Sequence, residues 1–250
     1  MSMDAMAEPG CGVAGAVRVV VPTLLKRGLP GGKVEADPNG EVVWLLPGRA
    51  VWWPGRSTVV VADLHLGKVD VFRRAGVPMP TGLADADLGR AGGLIDAVGA
   101  RRLVVLGDFF HGVVAERDAV RGVLSDWLAS RARLSVVLVR GNHDRSAWPM
   151  AESMGIEVVG EGAVDGPFVW RHEPMEDERG YVWAGHLHPA VVLKGWGRGR
   201  RGAEKAACYW VGERVGVLPA FGRFTGTHAI RAGAGDRVWA AGDEAVVRVR

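Results

Sequence analysis

The chain has 250 residues, 48% of them hydrophobic and 24% charged. That composition supplies one large folded core and excludes a disordered or fibrous protein. A net charge of +3 excludes any argument for a nucleic-acid partner from bulk electrostatics alone. Residues 1–15, which begin MSMDAMAEPGCG, read as a disordered leader. They carry acids and a proline where a signal peptide carries basic residues and then an apolar run. Residues 16–250 read as one domain. EVVWLL (41–46), RAVWW (49–53) and STVVVAD (57–63) are strands separated by Pro-Gly turns. In DADLGRAGGLIDAVGA (85–100), Leu88, Ala91, Leu94, Ile95 and Val98 recur at helical spacing. RLVVLGD (102–108) is a buried strand. VAERDAVRGVLSDWLASRAR (114–133) is a helix with Val120, Val123, Leu124, Trp127 and Leu128 on one face, and LSVVLVRGN (134–142) is another buried strand.

This alternation predicts an α/β architecture. Beyond residue 155 the helical signal fades into short strand-like runs, among them PFVW, YVWA, AVVL, ACYWV and RVWAA. The segment KGWGRGRRGAEK (194–205) lies between two of them and reads as a long exposed hairpin loop or a disordered one. No apolar stretch is long enough to cross a bilayer. The two cysteines, Cys11 and Cys208, are too few for a disulfide framework or a thiolate zinc site. A cytoplasmic protein with no membrane association is the expectation.

Polar clusters punctuate the ends of the apolar runs. Asp63 and His65 follow the first, Asp108 and His111 the second, and Asn142 and His143 the third. His172 follows PFVWR, and His186 and His188 follow YVWAG. In an open α/β sheet, ligands bind beyond the carboxyl ends of strands, where such side chains converge. Gly107, Gly141 and Gly185 each precede a candidate ligand, as a sharp turn beside a site requires. Donors of nitrogen and oxygen only suit manganese, iron, zinc or magnesium. Two such cations roughly 3.5–4 Å apart can clamp the attacking and leaving oxygens of an in-line phosphoryl displacement.

The ordered set D-x-H, G-D, G-N-H-D, H, G-H-x-H, over residues 63 to 188, resembles the calcineurin-like metallophosphoesterase superfamily. Within it, ADLHLGK, FRRAGVPMPTG, LGDFFHG, GHLHPAVVL and LPAFGRFTGTHAI are similar to the PdeM-type ligase-associated DNA damage response endonucleases. The resemblance implies a two-sheet β sandwich flanked by helices on both outer faces. It implies one divalent metal held by Asp63, His65, Asp108 and His188, and a second held by Asp108, Asn142, His172 and His186. His143 would stabilise or protonate the leaving oxygen, with Asp144 orienting it. It further implies a manganese-dependent endonuclease of bacterial DNA repair that hydrolyses phosphodiesters by in-line displacement. An ATP-dependent DNA ligase, an exonuclease and a helicase would be its pathway companions. FTGTH stands where the family pattern expects FTGG, in a tail that reads as structural.

Several residues carry two readings. His172 is a ligand or a strand-end histidine in an acidic loop. His111 contacts substrate phosphate or packs on Phe109. Lys68, Arg73 and Arg145 are candidate substrate contacts or solvated charges. Arg198, Arg200, Arg201 and Trp196 track a nucleic-acid backbone or belong to a solvated hairpin. Trp52, Trp53, Trp127 and Trp183 read as core. The same site would serve a small-molecule phosphodiesterase or phosphomonoesterase, such as one for cyclic nucleotides. A protein Ser/Thr phosphatase fits less well, because GDFFHG and GNHDR stand where that branch has G-D-x-V-D-R-G and G-N-H-E. A scaffold that had lost its metals would lack ligand positions that are present here.

Overall fold

The computed structural model describes residues 11–24, 36–111, 118–194 and 203–250. The first sheet runs in chain order: β1 (Val17–Leu24), β2 (Ala36–Leu46), β3 (Ala50–Trp53), β4 (Thr58–Val61), β5 (Arg102–Leu106), β6 (Ser135–Val139) and β7 (Glu157–Val159). The first four pair antiparallel, β2 to β3 and β3 to β4 through short turns, and β4 to β7 pair parallel. Parallel neighbours need long crossovers. These contain α1 (Lys68–Arg74), α2 (Leu83–Val98), α3 (Asp118–Ala129) and α4 (Trp148–Ser153).

The central strands are apolar at all but their first positions because both faces are covered. Along β5, Leu103 and Val105 face α2 and α3, whereas Val104 and Leu106 face the second sheet. Along β6, Val136 and Leu138 alternate in the same way with Val137 and Val139. The helical layer contributes Leu88, Ala91, Ile95, Val120, Leu124, Trp127 and Ala151 to the first core.

The second sheet is built from β8 (Ala163–Asp165), β9 (Phe168–Trp170), β10 (Tyr181–Ala184), β11 (Pro189–Lys194), β12 (Ala203–Val211), β13 (Val215–Val217), β14 (His228–Ala229), β15 (Arg237–Ala241) and β16 (Val246–Arg248). Its main path is β14-β11-β12-β13-β10-β9-β8, with β15 on β12 and β16 on β15. Between the sheets lie Trp53, Phe168, Trp170, Tyr181, Trp183, Tyr209 and Trp239. The Tyr209 hydroxyl lies 2.7 Å from the Leu46 carbonyl and 2.9 Å from that of Ala50, so β12 is tied to the β2–β3 turn. The architecture is the expected α/β sandwich of two sheets, but the helices expected on both outer faces cover, among the described residues, the first sheet alone. The outer face of the second carries only a small cluster of Val169, Val182, Ala184 and Val215.

Two expectations need correction. The disordered leader does not extend to residue 15: Cys11 is buried in the first core, with Val13 and Ala16 packed against it. Residues 1–10 lie outside the described residues. The helix expected over 114–133 ends at Ala129, where a turn follows. Residues 112–117 and the 195–202 part of the Gly-Arg loop also lie outside the described residues. The loop's flanks pair antiparallel as a hairpin. Trp52, Trp53, Trp127 and Trp183 are all buried. Among the described residues no helix is long and apolar enough to cross a membrane.

Candidate metal centre

β4, β5 and β6 of the first sheet run parallel side by side, and so do β9 and β10 of the second. The candidate ligands follow the carboxyl ends of these five strands. Packing one sheet on the other brings the two sets to one edge of the sandwich.

The turns that carry the ligands are unusual. Among the described residues, seven non-glycine residues have positive φ, and five of them are Asp63, His65, Asp108, His186 and His188. Left-handed backbone is uncommon outside glycine and is concentrated at functional sites. Here it turns each side chain off its strand and into the shared edge. Of the three glycines expected to permit sharp turns, only Gly107 has positive φ. At Gly141 and Gly185 the requirement is space. A Cβ at Gly141 would collide with Asp108, and one at Gly185 would lie 2.6 Å from Asp63 Oδ2. A Cβ at Gly107 would meet the His172 ring.

Asp63 is fully buried. Its Oδ2 accepts the His186 amide at 2.9 Å, while Oδ1 has no hydrogen bond and lies 3.5 Å from His188 Nε2 and 3.8 Å from His172 Nδ1. Asp108 Oδ1 accepts the His143 amide at 2.9 Å. Its Oδ2 stands between two imidazoles, 3.7 Å from His65 Nε2 and 3.5 Å from His172 Nε2. Asn142 Oδ1 is 2.8 Å from His172 Nε2, and His186 Nδ1 is 3.0 Å from the same nitrogen.

Two of the histidines have one ring nitrogen fixed by a carbonyl. His172 Nδ1 donates to Leu106 O, and His188 Nδ1 donates to Gly226 O, each at 3.0 Å. That sets the tautomer and leaves each Nε2 lone pair facing the carboxylates, the arrangement common in metal-binding histidines. His65 Nε2 is buried and without a hydrogen bond. Burial, with Lys68 and the neighbouring imidazoles, pushes His65 down to about 2, so it is a neutral donor. At His188 burial opposes the Asp63 carboxylate and the Gly226 carbonyl, and these raise its pKa.

Donor atoms gather as Asp63, His65 and His188, and as Asp63, Asp108 and His172, within 4.8 Å of one another in each group. Orphaned buried acceptors facing one another in a dry site are costly. A divalent cation satisfies them, and the nitrogen and oxygen donors suit one. The residues present therefore fit a metal. Asp63 faces His188, as the resemblance implies, and also His172, which the resemblance assigns to the other metal.

The remaining candidates divide. His143 is exposed, 5.3 Å from His65 and stacked on His111 at 5.0 Å between ring centroids. His111 Nδ1 is 3.2 Å from His65 Nδ1, so His111 belongs to the site edge and not merely to Phe109. Burial lowers His111 to about 4, helped by His143 and Lys68. No hydrogen bond joins Asp144 to His143 among the described residues. The Asp144 carboxylate turns inward, is fully buried and accepts the Phe110 amide at 2.7 Å, and burial pushes it up to about 7. Lys68 starts α1 half-buried, close enough for Asp108 and Asp63 to oppose the lowering of its pKa by burial. Arg73 is exposed and paired with Asp70 at 3.7 Å, and it shares with Lys68 and His65 the lining of a cavity of about 170 Å³. Arg145 is exposed and is not brought into the cluster. Sequence reasoning missed the backbone groups that brace the ligands, Leu106 O and Gly226 O, because a carbonyl leaves no mark in residue type.

No family model matches the chain, and no curated protein does. Among solved structures, the chain is similar to the crystal structure of Pseudomonas putida nuclease MPE. The TM-score is 0.73 and the identity 36%, over 84% of this chain and 96% of that one. Likeness over nearly all of both chains, on the fold that carries the buried Asp and His cluster, shows that the chain belongs to the family of this Pseudomonas putida nuclease.

Proposed function

We propose that the chain is a metal-dependent nuclease of the calcineurin-like metallophosphoesterase type, cutting phosphodiesters within a nucleic acid. The observation that carries this reading is the buried cluster of oxygen and nitrogen donors in a relative of a nuclease. One cation would be held by Asp63, His65, Asp108 and His188, and a second by Asp108, Asn142, His172 and His186, with Asp108 shared. When bound, the cations supply positive charge at the phosphate and at both the entering and leaving oxygens.

The chain's own residues do the rest. Asp63 and Asp108 offset part of the cationic charge, leaving the centre attractive to an anionic diester. His143, exposed beside His65 and free of side-chain hydrogen bonds among the described residues, faces solvent, where it can donate to the leaving oxygen. Lys68 and His111 stand on the same rim and would hold phosphate oxygens, and Arg73 and Arg145 would contact the strand further out. The sequence resemblance extends the proposal to manganese as the metal and DNA as the substrate. It also suggests a cytoplasmic repair setting with an ATP-dependent ligase, an exonuclease and a helicase.

The test is nicking of circular single-stranded DNA with added manganese, with Asp108→Asn as control and bis(p-nitrophenyl) phosphate in parallel. A closed circle has no ends, so its linearisation by the wild type alone demonstrates internal cleavage. Hydrolysis of the small diester with an intact circle would sink the nuclease reading and leave a small-molecule phosphodiesterase.

A further inference from the structure

The segment 220–228 passes along the edge of the cluster as a strut. On its inner side the Phe221 amide donates to Ala62 O at 2.8 Å and the Gly222 amide to Asp63 O at 3.1 Å. Gly222 lies so close to the Leu64 carbonyl that a Cβ there would collide with it. Thr225 Oγ1 donates to Gly222 O at 2.6 Å and closes the turn that aims Gly226 O at His188 Nδ1. The His228 amide then donates to His188 O at 2.9 Å. The strut thus touches Asp63 at one end and His188 at the other, two members of one donor trio.

Its outer side is gripped by charged groups of α2 and the β2–β3 turn. Arg90 donates through Nη2 to Phe221 O and to Asp87 Oδ1, the latter at 3.0 Å, and its guanidinium lies 3.9 Å over the Phe221 ring. Asp87 Oδ2 accepts the Arg223 amide at 3.3 Å. Arg49 donates to Ala220 O at 3.2 Å. Asp87 is buried and the Arg90 side chain only 13% exposed. A buried ion pair contributes little net stability compared with apolar side chains of similar volume. What the planar guanidinium adds is direction, because its Nη2 serves both a carboxylate and a carbonyl while its face covers a ring.

We propose that Asp87 and Arg90 are positioning residues for a divalent cation at the Asp63–His65–His188 half of the cluster, acting through the 220–228 strut. This rests on the metal-binding reading of the site. His172, by contrast, is braced by Leu106 O of β5 and, among the described residues, makes no hydrogen bond to the strut. Asp63 belongs to both donor trios but His188 to one, so loosening the strut should weaken the Asp63–His65–His188 cation more than the other.

The experiment is manganese titration of metal-stripped protein by calorimetry, with bound manganese followed by electron paramagnetic resonance. Arg90→Met, Asp87→Asn and Gly222→Ala are compared with wild type. Arg102→Met, which removes an ion pair to Asp165 outside the strut, controls for lost stability. Wild type should bind two ions. The three strut variants should lose roughly ten- to a hundredfold in affinity at one ion, the range for groups that orient metal ligands, and less at the other. Arg90→Lys should recover part of the loss, and Arg102→Met should lower the melting temperature with both affinities kept. Asp87→Asn preserves shape, so it stands in if Arg90→Met fails to fold. Equal weakening of both ions, or of neither, in the folded strut variants would overturn the positioning role while leaving the metal reading intact. A wild type that binds no manganese would overturn both.

Discussion

His172 and His188 both turn Nε2 toward the carboxylates of the cluster, from different supports. His172 is almost fully buried, and its Nδ1 is bound to the carbonyl of Leu106, the last residue of a central parallel strand. His188 is partly exposed, and its Nδ1 is bound to Gly226, 38 residues further along in an irregular segment. One half of the cluster inherits the rigidity of the sheet, and the other depends on a loop that must itself be held. A donor set of uniform chemistry is thus built on supports of unequal stiffness, and the softer half is where the long-range contacts of the C-terminal region converge.

The comparison breaks entirely at the shared residue. Asp108→Asn keeps the shape but removes a charge whose Oδ2 faces His65 and His172. Turnover should fall by about a thousandfold or more, corresponding to several kcal/mol of charge stabilisation, measured as nicking rate at saturating manganese. His143→Gln should slow cleavage by roughly 10²- to 10⁴-fold, the range for a lost general acid, with manganese stoichiometry unchanged. A variant that also lost metal would show His143 to be a ligand. Gly107→Ala sharpens the contrast, since its Cβ meets the His172 ring. It should weaken the ion that strut variants affect less, by roughly ten- to a hundredfold in the same titration. Manganese at a hundred times its dissociation constant should raise the melting temperature by roughly 5–10 °C for each site, from about 2.7 kcal/mol of linkage in a chain of this size. No rise on adding metal after chelation would count against a buried cation site.

Asp63, Asp108, Asn142, His172 and His186 were legible because each follows an apolar strand by two or three positions. Val59–Val61, Leu103–Leu106 and Val136–Val139 announce buried strands, and Asp63, Asp108 and Asn142 fall where those strands must end. The direction of a side chain within a turn was not legible. Asp144 adjoins His143 in sequence, yet the turn sends one inward to Phe110 and leaves the other outside. α4 was missed because its six residues include Pro149, a residue that ordinarily punctuates loops. β8, β14 and β16 are too short to show a period. Arg90 sits in a helix whose apolar face was recognised, but its partner Phe221 lies 131 residues away, and no local pattern couples the two.

The five left-handed residues bear on how this protein would evolve under a changed demand. Each places a side chain where glycine would rest more easily, at a cost on the order of 1–3 kcal/mol at the most strained positions. Populations selected for heat resistance alone, with no requirement to cut, would drain their chemistry from Asp63, His65, Asp108, His186 and His188 toward glycine before they improved the packed core. The order of loss would map the strain: sites lost earliest are those whose geometry only catalysis maintains.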